Sequence, residues 1–491
     1  MNILAIDQGT SATKAALVGP GNEVLGFAEV PVAVRADGDA VEADPEDLLG
    51  SVLAAGREAL ARAHLPADAA GAVALANQGE SVLAWNRRTG RPLSPVIVWQ
   101  DRRSAVICDR LAPAADSLSK ITGLRLDPYF AAPKMAWLRE RLAEGRGAAL
   151  DADSVITTTD TWLLARLGAG YVTDASTASR TMLLDLDAAD WSGQACGEFG
   201  IDAAALPLVA DCAGVVGETA AFGRSLPVAG LAVDQQAALV AQHCLTAGQA
   251  KCTYGTGAFL LATTGGRSHA GAAVRSSTGL AASVAWRLNG VPAYCLDGQV
   301  YTAGAALSWL ARLGLLTDAA EIDLVTGGMA DSGGVSFVPA LAGLGAPHWS
   351  PGARGAFGGL SLGTTRAHLV RAVVDGIAAS VALLARSVAA DLGAPLSALR
   401  VDGGLTRSAA LLQAQADLLR IPVEVSDTPH ATALGVAALA RLGIGDSDSL
   451  DAAVGPVRPQ KMVEPRMSPD EAADRLAAFD AAVSSVIAAA R

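Results

Sequence analysis

The apolar and polar positions of the first thirty residues specify a β-meander. Apolar residues run from Ile3 to Ile6 and stop at Asp7, so that strands are expected at 2–7, 12–18 and 23–32. Gly19, Pro20, Gly21 and Asn22 supply the turn between the last two. The period then changes. Asp44 is placed to cap a helix with Pro45 at its first position, and Leu48, Leu49, Val52, Leu53 and Leu60 recur at helical spacing. An apolar strand at 71–76 follows and ends in Asn77, Gln78, Gly79 and Glu80. Strands, a helix and a strand with a polar end predict an α/β lobe with a mixed sheet, whose ligands gather where strands end.

The second half repeats this order. Residues 250–264 read as strand, glycine turn, strand, and helices are expected at about 302–313 and 366–391. Residues 398–404 read as a strand entering a glycine turn, with a helix at 408–419. The repetition predicts a duplicated fold without a residue-level repeat, divided near 243–248 into lobes of 1–245 and 246–491. The stretch 193–232, with many turns and short apolar runs, reads as a lid or insertion. The last 25 residues read as an amphipathic helix that serves packing.

A chain of 491 residues exceeds one ordinary core, in keeping with two lobes. The net charge of −12 argues against a nucleic-acid partner. Six scattered cysteines show no metal-ligand spacing and point to a reducing cytoplasm. The N-terminal run lacks a basic region and is interrupted by Asp7, so no secretory signal is expected. The alanine-rich stretch 377–396 is broken by Ser380, Arg386, Ser387 and Asp391, so no membrane partner is expected.

Chemistry concentrates at three glycine turns. Asp7, Gly9, Thr10 and Ser11 combine an acid, a free backbone and two hydroxyls, which suits a phosphate and its magnesium ion. Similar turns recur in YGTGAF from Tyr254 and VDGGLTRS from Val401, suggesting a nucleotide gripped between two lobes.

Four further segments join the three turns: ANQGESVLAWNRRTGRPLSPVIVWQDRR at 76–103, LDPYFAAPKMAWL at 126–138, VDQQAAL at 233–239, and VPALAGLGAPHWSPGARGAFGGLSLGTTRAHLVRA at 338–372. In this order they resemble the FGGY carbohydrate kinases, the glycerol kinases most closely, from Ile3 to about Gly443. The resemblance implies two ribonuclease H-like lobes of the actin and heat-shock-chaperone ATPase type, with a central cleft. It implies ATP and Mg²⁺ as cofactors and a small polyol or sugar as substrate, and a homodimer is compatible with it.

Residue by residue, the resemblance puts Asp7 at the metal, and Thr10, Ser11 and Lys14 at the phosphates. Gly255 and Thr256 match a second phosphate loop, Gly304 and Ser308 positions near the nucleotide, and Gly404 and Ser408 the adenosine loop. Glu80, Tyr129, Asp234 and Gln235 match polyol-binding positions, and Trp99 and Phe259 apolar walls. Asp234 is the expected catalytic base, since it follows a short apolar run and precedes a helix, whose positive end favours a carboxylate.

One position departs from the resemblance. Glycerol kinases carry an arginine immediately before the glutamate matched by Glu80, and here that residue is Gly79. Glycine donates no side-chain hydrogen bond, so a gap is expected in the substrate wall and a polyol or sugar other than glycerol is expected to fit best. Asp101 is a candidate partner for a sugar hydroxyl. The open alternatives are a xylulokinase-like ketopentose kinase and, from another class, a non-catalytic sensor or chaperone-like ATPase on the same fold.

Overall fold

The computed structural model describes residues 1–490 apart from 67, 146, 149, 150, 267–271, 328, 330 and 427. The expected meander opens the first lobe as Asn2–Gln8, Ala12–Val18 and Val24–Pro31, paired antiparallel. Asp44 caps the following helix, Pro45–Arg62, by accepting from the Glu46 amide at 2.8 Å, and the helix packs on Val24–Pro31 and Ala12–Val18. On its other side Asn2–Gln8 pairs in parallel with Ala70–Asn77, which pairs in parallel with Leu226–Val233; Ala213–Thr219 completes six strands.

The second lobe is built the same way. Ala250–Tyr254 forms a hairpin with Ala258–Gly265, which pairs antiparallel with Val291–Val300. Across its other edge, Ala250–Tyr254 runs parallel to Leu399–Asp402, itself parallel to Val423–Ser426. Ala281–Leu288 and Pro459–Val463 extend this sheet to seven strands. The duplication is therefore one of topology: three antiparallel strands, then two parallel ones beside the first.

The stretch 193–232 is not simply a lid. Its last part supplies Ala213–Thr219 and most of Leu226–Val233, an edge strand and an inner strand of the first sheet. Pro227 and Gly230 weaken the local strand signal, and pairing with the buried strand Ala70–Asn77 overrides it.

The helix Ala431–Gly443 comes from the second half of the chain, yet it lies on the first lobe's strands Ala70–Asn77 and Leu226–Val233 and beside helix Asp234–Ala241. The C-terminal helix Pro469–Ala489 packs Leu476, Phe479 and Val483 onto the second lobe. Helix Arg366–Leu392 is long and apolar enough to cross a bilayer, but 67% of its apolar window is buried inside the protein, as for a core helix.

Candidate active site

Strand ends from both lobes converge on a cavity of about 490 Å³. On one wall, Asn2–Gln8 delivers Asp7 opposite Lys14 in the hairpin register. The turn between them is held open by the Gly9 amide donating to the Ala12 carbonyl at 3.1 Å and the Val32 amide to the Ser11 carbonyl at 2.9 Å. Ser11 is exposed, and the Thr10 hydroxyl accepts from Trp99 Nε1 at 2.8 Å. This last bond ties the turn to the aromatic wall.

The second turn faces the first across the cavity. The Gly255 amide donates to the Gly257 carbonyl at 2.8 Å, and the Ala303, Gly304 and Ala305 amides bind the carbonyls of Thr256, Gly255 and Thr256. The helix Gly304–Arg312 is thus docked on the turn by its own first residues. A Cβ at residue 304 would stand 2.6 Å from the Gly255 carbonyl oxygen, so this contact requires glycine. Gly304→Ala should lower stability by about 1–3 kcal/mol through overpacking and weaken nucleotide binding; thermal unfolding with and without ADP checks both.

The opposite end of the cavity is aromatic and charged. Trp99 stands edge-on to Tyr129 and to Phe259, with ring centroids 5.6 and 6.3 Å away. Glu80 adopts a left-handed backbone conformation (φ 60°), which costs an L-residue of order 1 kcal/mol. Its carboxylate accepts from Arg180 Nε at 2.6 Å, and Arg180 also pairs with Asp297 of the second lobe. Burial pushes the Glu80 carboxyl up, and Arg180 opposes that shift.

Asp234 is the first residue of helix Asp234–Ala241. Val233 holds the cap position, so Asp234 is not the capping residue. Its Oδ1 accepts from the Gln235 amide at 2.7 Å, and the Gln235 side chain also favours the charged carboxylate. Burial raises its pKa while Lys251 opposes the rise. Lys251 in turn donates to Gln235 Oε1 at 2.6 Å and to Thr253 Oγ1 at 2.9 Å. Asp7 is pushed up to about 7 by burial and then by Asp234.

Fourteen residues singled out in the sequence line this one cavity: Asp7, Gly9, Thr10, Ser11, Lys14, Gly79, Glu80, Trp99, Tyr129, Asp234, Gln235, Gly255, Thr256 and Phe259. Gly304, Ser308, Gly404 and Ser408 lie outside its wall. Ser308 and Gly404 are exposed. Ser408 uses its hydroxyl as a helix cap, accepting from the Leu411 amide at 3.2 Å and donating to Asp323 Oδ1 at 2.8 Å. Asp101 is not a cavity residue: its buried carboxylate accepts from the Val41 amide at 2.8 Å and from Arg103 Nε at 2.9 Å.

The expected gap at Gly79 is also narrower than its missing side chain suggests. A Cβ there would lie 2.9 Å from Val233 Cγ2 and 4.0 Å from Arg180 Cγ. Arg180 and Asp297 are among the lining residues that escaped the sequence reading. Arg180 sits in an ordinary polar run, whereas Asp297 carried a signal, as a lone acid inside the apolar strand Val291–Val300.

Two duplicated α/β lobes closing on facing phosphate-type turns and a buried carboxylate define an ATP-dependent phosphotransferase of the actin- and hexokinase-like ATPase fold. The chain belongs to the FGGY family of carbohydrate kinases: residues 2–241 match the family's N-terminal domain and residues 250–443 its C-terminal domain. It is 45% identical over 450 residues to a glycerol kinase of Thermus brockianus, covering 90% of each chain. It is 40% identical over 489 residues to a glycerol kinase of Aromatoleum aromaticum, covering 98% of each. The crystal structure of Plasmodium falciparum glycerol kinase with ADP superposes with a TM-score of 0.88 at 29% identity, covering 99% of this chain and 98% of that one. A xylulose kinase from Lactobacillus acidophilus shares the fold, with a TM-score of 0.85 at 20% identity over 99% and 98% of the two chains.

Proposed function

We propose that this chain transfers the γ-phosphoryl group of ATP to a terminal hydroxyl of a small neutral polyol, with Asp234 as general base. The observation that carries the reading is the Asp234 carboxylate, anchored by the Gln235 amide and lining a cavity that also holds two phosphate-type turns and the Glu80–Tyr129 end. The Gln235 amide fixes the carboxylate while Oδ2 takes the hydroxyl proton. A base whose pKa lies above an ordinary aspartate's accepts that proton more readily. Lys14 offsets phosphate charge, and closing of the lobes excludes water that would otherwise take the phosphoryl group.

The residues fit a magnesium ion that arrives with the nucleotide. Five carboxylates line the cavity (Asp7, Glu29, Glu80, Asp234 and Asp297) against two cations, Lys14 and Arg180. Among the described residues, no three His, Cys, Asp or Glu side chains gather as a metal cluster. A single carboxylate, Asp7, beside a phosphate turn suits an ion held through water and by phosphate oxygens. When bound, it would neutralise charge on the transferring group.

The names of the relatives support glycerol as an acceptor, while Gly79 and Val233 give the pocket its own wall. Gly79→Arg alone should destabilise the fold, because its Cβ meets Val233. Gly79→Arg combined with Val233→Gly opens that space and should shift relative kcat/KM toward glycerol by about tenfold or more. An unchanged ratio in the double variant would remove residue 79 from the substrate wall. The reading itself is tested by ADP release over a panel of glycerol, tetritols, ketopentoses and gluconate. Stimulation by the polyols is expected, and stimulation by ketopentoses alone would favour the xylulokinase-like reading.

A further inference from the structure

Arg180 follows the short helix Ala175–Ser179 and is 5% exposed. Its Nε donates to Glu80 Oε1 at 2.6 Å, and its Nη1 donates to Ser283 Oγ at 3.0 Å and to Asp297 Oδ2. Phe130 and Tyr129 stand against the guanidinium, with ring centroids 5.3 and 5.8 Å away. Glu80 comes from the first lobe, whereas Ser283 and Asp297 come from the second, so the guanidinium is clamped across the cleft. Among the described residues nothing accepts a hydrogen bond from Nη2, and nothing donates to Glu80 Oε2 or Asp297 Oδ1. All three residues nevertheless line the cavity. Polar atoms left open in this way on a cavity wall are completed by water or by a ligand that displaces it.

We propose that Arg180 reads a substrate hydroxyl: Nη2 donates to the hydroxyl oxygen, Glu80 Oε2 accepts its proton, and Asp297 and Ser283 fix the guanidinium from the opposite lobe. This rests on the kinase reading and narrows its substrate class. The hydroxyl read here is a second one, distinct from that presented to Asp234. Two carboxylates flank one guanidinium, so the cluster has no positive charge to spare. It therefore favours a neutral polyhydroxyl compound over a sugar acid or phosphosugar, whose charge it would repel.

The test compares the unaltered chain with Arg180→Lys, which keeps the charge and loses the planar fork, and with Asp297→Asn, which loosens the clamp but keeps its shape. Glycerol and erythritol are each assayed against analogues lacking one hydroxyl, and ADP affinity is measured in parallel. The unaltered chain should favour the parent polyol by about 100-fold or more in kcat/KM. Arg180→Lys should raise KM for the parent by about 30-fold or more and shrink the preference to below about tenfold, with ADP affinity unchanged. Asp297→Asn should move both in the same direction by less, and it carries the test should the lysine variant fail to fold. Preferences equal to that of the unaltered chain in the folded variants would overturn the assignment. Should the unaltered chain phosphorylate neither polyol, the polyol-kinase reading fails instead. Calorimetric polyol binding to the same proteins then decides on Arg180, with equal affinities overturning it.

Discussion

Asp234→Asn should lower kcat by about 10² to 10⁴-fold while leaving ADP affinity within about threefold of the unaltered chain. Asparagine has nearly the same shape, and its carbonyl oxygen can keep the bond that Asp234 Oδ1 makes with the Gln235 amide at 2.7 Å. What disappears is the basic oxygen facing the cavity. KM for the polyol should therefore change much less than kcat, because the lost interaction belongs to the proton transfer rather than to ground-state binding. Steady-state kinetics and ADP calorimetry on the same preparations give both quantities. A kcat within about threefold of the unaltered value would mean that some other group takes the proton.

Asp7→Asn should be nearly as damaging, and its signature is pH. The Asp7 carboxyl sits at about 7 instead of 3.8, chiefly through burial and then through Asp234. Below that value it is protonated and holds a hydrated cation poorly; above it the carboxylate is free to do so. Cation affinity of the unaltered chain should therefore rise by up to about tenfold per pH unit on the way to pH 7 and level off above it. Asp7→Asn should flatten this dependence, weaken Mg²⁺ activation, and lower kcat by about 10² to 10³-fold. Stability runs the other way. An acid whose folded pKa is raised costs the cation-free fold progressively more as pH climbs from 3.8 to about 7. The Tm of cation-free Asp7→Asn should exceed that of the unaltered chain at pH 8, and by less at pH 5. A magnesium dependence unchanged by the substitution would take Asp7 out of the metal role.

What the chain discloses in advance is what neighbouring residues decide. Asp44, Pro45 and the leucines behind them announce the helix Pro45–Arg62 because cap, first turn and apolar face are all local. The turn after Asp7 is legible for the same reason. Arg180 is not, because its partners Glu80, Ser283 and Asp297 are 100, 103 and 117 residues away, and nothing near position 180 marks it as buried. Leu226–Val233 was obscured by Pro227 and Gly230, and only its neighbour Ala70–Asn77 makes it a strand. Asp101 illustrates the opposite error: a polar residue in a promising segment satisfies the backbone at Val41 and the side chain of Arg103 instead of the substrate. At Gly79 the missing side chain was visible, but Val233 standing in its space was not, since that contact exists only once two strands meet.

The destination of the γ-phosphoryl group separates a polyol kinase from an ATPase on this fold. Incubating the purified chain with Mg²⁺ and ATP labelled in its γ-phosphate, together with glycerol or erythritol, and separating the products answers this directly. The label should appear on a terminal oxygen of the polyol, one equivalent for each ADP formed, and little should appear as inorganic phosphate. Label found only in inorganic phosphate, at a rate indifferent to polyol, would make the chain an ATPase on this fold and contradict the role given to Asp234 and the Glu80 pocket.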